Sequence, residues 1–105
     1  MIRRVDIDAA VLEQAHEEFG ASRSPDGRPS ELDFVSGPLA AAVIAFRDFD
    51  DLAYDIVAAV RTHTVVDPFF GPVVFVGVLL TEGTVEIVEF AHDPDYWRLL
   101  GEMPE

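Results

Sequence analysis

The period of the hydrophobic pattern changes once, near residue 60, and this most limits what the chain can fold into. Before Ala59 apolar residues recur at helical spacing; from Val60 onward β-branched residues alternate or run together. Leu12, Ala15 and Phe19 share one face of a first helix, with Glu13, Gln14, Glu17 and Glu18 opposite. Asp6 or Asp8 is placed to cap its start, and Gly20 to end it. Residues 2–5 are a first strand or a lead-in.

Residues 20–36 read as a loop, with Ser24-Pro25-Asp26-Gly27 as a turn signal. Ser36-Gly37-Pro38 opens a second helix, apolar all round from Leu39 to Phe46 and therefore buried. Asp50 or Asp51 then caps a further helical segment carrying Leu52, Ile56 and Ala59. Arg61 to Val66 is a strand, and Val73 to Thr81 a central one, apolar on both faces. Gly77 within it marks a bulge or a close approach by another chain. Glu82-Gly83 reads as a two-residue hairpin turn into a strand over 84–91. Asp93-Pro94-Asp95 starts a short terminal helix with Tyr96, Trp97, Leu99 and Leu100. The expected fold is a single α+β domain over 1–105. Two or three N-terminal helices pack on one face of a three- to four-stranded antiparallel meander, followed by a short C-terminal helix.

Composition narrows the function. Twenty carboxylates against seven cations, all arginine, give a net charge of −13. That balance opposes binding to nucleic acid or to an anionic membrane. No cysteine is present, which removes disulfides, thiol nucleophiles and cysteine-ligated metals. No apolar stretch approaches the ~20 residues of a membrane helix, and no apolar segment follows Arg3-Arg4 as in a secretion signal. A cytoplasmic location is expected, with no cofactor.

Few constellations carry chemistry. Glu13 and His16 form a single Glu-x-x-His step, whereas di-metal bundles need two. Asp48, Asp50, Asp51 and Asp55 crowd together, but Leu52 occupies a ligand position of the calcium-loop pattern and no glycine follows. Helix capping accounts for them better, and no metal site is assigned. His63 and His92, with Asp93 and Asp95, flank the meander; two imidazoles and a carboxylate suit acid–base work if the ends meet. Arg61, His63 and His92 are the catalytic candidates. Phe69, Phe70, His92, Tyr96 and Trp97 are the candidate binding surface, because aromatic pairs beside chain breakers are good contact anchors. Arg61 and His63 are expected nearby, at one end of the sheet.

The order of two helices followed by Val60-Arg61, Gly71-Pro72-Val73-Val74-Phe75, Glu82-Gly83-Thr84-Val85-Glu86-Ile87-Val88, Ala91-His92-Asp93 and Tyr96-Trp97 resembles the RelE/ParE family of bacterial toxins. The resemblance implies helices packed on an antiparallel sheet, a hairpin, and functional residues after the last strand. In the ribosome-dependent RNases of that family, basic residues on the sheet and an Arg and Tyr after the last strand carry function. Asp93 follows His92 here instead of arginine, and Tyr96 or Trp97 stands where the terminal tyrosine falls. The segment from Val73 to Leu80 has no cation, and residues 82–105 hold seven carboxylates and one arginine. The expectation is a toxin-like scaffold without catalysis, acting through a protein partner or a homodimer. The alternatives are an active toxin (mRNA endonuclease or gyrase inhibitor) of a toxin–antitoxin system, and an acidic immunity-type inhibitor or nucleic-acid mimic.

Overall fold

A computed structural model describes residues 2–20, 29–54 and 56–93. Strand β1 (Val5–Ile7) leads into helix α1 (Ala9–Phe19). The Asp8 carboxylate accepts the Ala10 N–H at 2.8 Å and so caps α1, and Gly20 ends it at φ 75°. Helix α2 (Glu31–Phe34) passes through a π-helical turn at Val35–Leu39 into α3 (Ala40–Arg47). A 3₁₀ turn at Phe49–Asp51 follows. Strands β2 (Val60–Asp67), β3 (Gly71–Leu79) and β4 (Val85–His92) complete the described chain.

The sheet order is β1-β4-β3-β2. β2, β3 and β4 form the expected antiparallel meander, with β3 inside. β1 runs parallel to β4, however, so the four-stranded sheet is mixed rather than wholly antiparallel. The meander sets the direction of its own strands only. β1 is directed by its tethers: Val85 N–H donates to Arg4 O, Asp8 N–H to Ile87 O, and Arg3 N–H to Arg47 O, each at 2.9 Å. The Arg3 guanidinium also makes two bonds to Asp50, at 3.0 and 3.1 Å.

The second helix begins earlier than Ser36-Gly37-Pro38. Ser30 Oγ accepts from Asp33 N–H, and the Asp33 carboxylate accepts from Ser30 N–H at 2.8 Å, a reciprocal cap that starts the helix at Glu31. Pro38, which has no N–H to give, sits inside the helix, and the wider π turn absorbs it. The expected helix over Leu52, Ile56 and Ala59 is absent; beyond the 3₁₀ turn the described residues up to Ala59 are not helical. On α1 the buried set is Val11, Ala15 and Phe19, and Leu12 is exposed. The expected C-terminal helix, with Tyr96 and Trp97, lies outside the described residues.

The core lies between the helices and one sheet face. Phe34, Phe46, Phe49, Phe75, Val73, Val85 and Ile87 are fully buried there. Phe19, Phe34, Phe70 and Phe90 form an aromatic cluster with ring centroids 4.5–6.1 Å apart. The ladder slips by one residue at Val76/Gly77, which lets Ile87 and Phe90 both point inward although three positions apart. The hairpin between β3 and β4 has three residues, not two: Leu80 N–H donates to Thr84 O, with Gly83 at φ 93°.

Gly77 is a close approach as well as a bulge position. A Cβ there would sit 2.5 Å from the ring of Phe46, a buried side chain that has nowhere to retreat. Gly77→Ala is expected to cost about 1–3 kcal/mol, the range for overpacking a filled core. Urea unfolding followed by circular dichroism measures it, and an unchanged midpoint would contradict this packing.

Candidate functional site

The three catalytic candidates are separated and each is engaged structurally. Arg61 on β2 is buried. Its Nε donates to Ala58 O at 3.0 Å, and Nη1 donates to Leu52 O at 2.9 Å and to Phe49 O. The guanidinium also stacks 4.5 Å from the Phe49 ring centroid and 5.1 Å from that of Tyr54. One cation thus supplies donors to Leu52 O and Ala58 O, which no helix or sheet satisfies, and adds a second donor to Phe49 O, which already accepts the Leu52 N–H. His63 points inward two residues later, edge-on to Phe46.

His92, at the end of β4, has a side chain only 6% exposed, with Nε2 2.8 Å from Glu18 Oε2 on α1. Its ring packs against Phe19 and Phe90. Gln14 donates to Phe90 O at 3.3 Å beside it. His92 and its carboxylate therefore bind α1 to the end of the sheet.

Strand direction corrects the expected meeting of sheet ends. β2 and β4 run the same way, because each is antiparallel to β3. The start of β2 and the end of β4 therefore lie at opposite ends. His63 pairs with Phe75 on β3 and His92 with Val73, so β3 stands between the two histidines. The Phe69–Phe70 turn lies at the His92 end, where Phe70 is buried against Phe19. Phe69 is half exposed. Arg61 is at the far end, away from this group. Tyr96 and Trp97 lie outside the described residues.

The acidic groups have local partners as well. His16 Nδ1 meets Glu31 at 2.7 Å, linking the end of α1 to the start of α2. Asp50 is held below its usual carboxylate range by Arg3. Among the described residues no group of three or more His, Asp or Glu is arranged to hold a metal ion. None of the described helices is long and apolar enough to cross a membrane.

The feature that sequence reasoning missed is a cleft of about 370 Å³ beside the start of β2, lined by Ala53, Tyr54, Ile56, Val57, Val60 and Thr62. Ile56 is 91% exposed, and Tyr54, Val57 and Val60 are also exposed. The periodicity of residues 50–59 suggested a helix that would bury Ile56. Arg61 instead holds this stretch open and irregular, and its apolar side chains are left facing outward. Val66 and Val74 extend the exposed apolar surface along the outer face of the sheet. Exposed apolar patches, when large and contiguous, occur at interaction sites, ligand grooves and aggregation-prone surfaces.

Comparison with known proteins finds no matching family model, no matching curated protein and no matching solved structure.

Two substitutions probe the electrostatics of these contacts. Arg61→Met would leave Ala58 O and Leu52 O without their donor and take one of two donors from Phe49 O, at a cost of about 2–4 kcal/mol. Differential scanning calorimetry should show that loss. The second concerns Asp8, the cap of α1, and Glu86 on β4, whose carboxyls influence each other's ionisation. The Asp8 carboxyl and the nearby Asp6 and Glu82 charges push Glu86 up, while the Ala10 N–H and the Glu86 carboxyl pull Asp8 down. As pH rises through the interval from Glu86's ordinary value to its raised one, the folded state keeps a proton that the unfolded chain has lost. Stability falls through that interval. Asp8 has the opposite sign, and its contribution disappears as pH drops through its lowered value. Glu86→Gln keeps a donor toward Asp8 without the titration. Its Tm should exceed that of the parent at neutral pH, and the difference should vanish in mild acid.

Proposed function

We propose that this chain is a small acidic protein-interaction domain whose scaffold resembles the RelE/ParE toxins but does not carry their RNase chemistry. The observation behind the reading is the exposed apolar cleft at the start of β2, bordered by an edge strand, in a chain otherwise dominated by carboxylates. An edge strand beside apolar pockets is a known means of recognising another polypeptide.

The state of the catalytic candidates supports the same reading. Arg61 is committed to three backbone carbonyls, and His92 to Glu18. His63 lies on the helix-covered face. Gripping mRNA needs positive potential, because phosphate contacts dominate affinity. β3 has no cation, and β4 carries Glu86 and Glu89.

Two measurements test the proposal. Induced expression in bacteria should leave growth unaffected, and RNA anisotropy should not change at physiological salt. Submicromolar RNA binding that weakens steeply with salt would sink the reading. So would growth arrest that disappears in a stably folded His92→Ala variant.

A further inference from the structure

The outer edge of β2 has a definite length and a centre. Leu79 N–H donates to Ala59 O at 2.8 Å, so Ala59–Leu79 is a hydrogen-bonded pair. By alternation, Arg61, His63, Val65 and Asp67 exchange bonds with β3, and Thr62, Thr64 and Val66 direct N–H and C=O away from the sheet. Val60 has the same phase, but its N–H turns back to Val57 O at 3.0 Å. The open ladder is therefore Thr62, Thr64 and Val66, centred on Thr64. All three residues are exposed. β2 contains no lysine, no proline and no bulge to block a second strand, and its two charged residues, Arg61 and Asp67, turn toward the helix-covered face rather than the open edge.

We propose that this edge pairs antiparallel with β2 of a second copy of the chain, with the two-fold axis at Thr64. The inference rests on the interaction-domain reading and names its partner. Thr64 then faces Thr64, and Thr62 faces Val66 of the second copy. Three residue pairs exchange two bonds each, about six in all, and use every outward N–H of the ladder. An axis at Thr62 would leave Val66 unpaired and require the N–H that Val60 has already committed.

Charge and shape agree with that register. Arg61 and Asp67 are the only formally charged residues of β2, and they fall opposite one another across the axis. Two chains of −13 therefore meet here without opposing carboxylates. The same register sets Val60 opposite Pro68, and Ala59 opposite Phe69, of the second copy. The exposed Val66–Phe69 end of one copy thus runs beside the cleft at Tyr54, Ile56 and Val57 of the other, and the two-fold repeats the contact. The apolar surface needs a partner with an exposed apolar strand end, and the chain itself has one.

The chain has no cysteine, so single introduced cysteines report the register. Residues facing each other in a hydrogen-bonded antiparallel pair have Cα atoms about 5.5 Å apart, within disulfide reach. Under mild oxidation Thr64→Cys should form a covalent dimer quickly. Thr62→Cys and Val66→Cys should cross-link when mixed but not separately. Val74→Cys, exposed but away from the edge, should not cross-link. Sedimentation equilibrium of the native chain should give twice 11.6 kDa, with no weakening by salt. Thr64→Pro, and independently the surface change Val66→Lys, should give folded monomers. A native chain that is monomeric at about 10⁻⁴ M, with no preference for Thr64→Cys over Val74→Cys, overturns the self-pairing but leaves the interaction reading standing. A dimer that survives both Thr64→Pro and Val66→Lys overturns it too, as does a monomer whose edge binds an unrelated strand-forming peptide saturably. RNA cleavage, in contrast, removes the interaction reading whatever the mass.

Discussion

The ring of Phe46 packs against β3 at Gly77, where no side chain intervenes, and that contact sets how closely the helical layer approaches the sheet. Helix α3 seats on β3 through it. The rest of the layer follows from that depth: Phe34 reaches Phe75 and Phe90, and Phe19 reaches Phe70 and Phe90. The one-residue slip beside Gly77 belongs to the same region, because it turns both Ile87 and Phe90 of β4 toward the helices. Aromatic side chains dominate this core, and each buries a large apolar area in a domain with little interior to spare.

The parts of the fold legible in the sequence are those governed by local pattern. Alternation identified the meander strands, the Asp8 and Gly20 signals bracketed α1, and the continuous apolar run over 73–80 marked the central strand. Three features were not legible, each for a physical reason. The direction of β1 depends on contacts from Arg3 and Arg4 to residues more than forty positions away. The early start of the second helix depends on a cap in which Asp33 takes the place usually held by Glu or Gln. The non-helical course of the described residues between the 3₁₀ turn and β2 goes with one arginine, because Leu52 O and Ala58 O accept its protons in place of a helical ladder.

The same arginine explains why the candidate site was only partly visible. Arg61 and His63 were noticed for their chemistry, but the strand alternation that turns both inward also gives them structural partners. His92 is similar: a buried imidazole bonded to a carboxylate and enclosed by phenylalanines holds a helix to a sheet end. The exposed cleft appears in no motif, because its lining comes from the stretch before β2 and the start of that strand, and only Ile56 of it belonged to the expected helical face. Its signal in the sequence was the mismatch between the apolar content of residues 52–57 and the charged residues before them, which suits neither a stable helix nor a solvated loop.

The parallel pairing of β1 with β4 also has a kinetic meaning. Val5 meets Val85, so β1 closes a loop that spans most of the described chain. Loop closure over such a separation is entropically costly, and contacts of this range slow folding. During synthesis the apolar faces of α1 and α3 emerge before the strands that cover them. Productive folding consequently waits for the β3–β4 hairpin, which supplies both the surface for the helices and the edge for β1. A chain interrupted before β4 would lack the strand that β1 and Phe19 require, a state of exposed phenylalanines suited to chaperone capture.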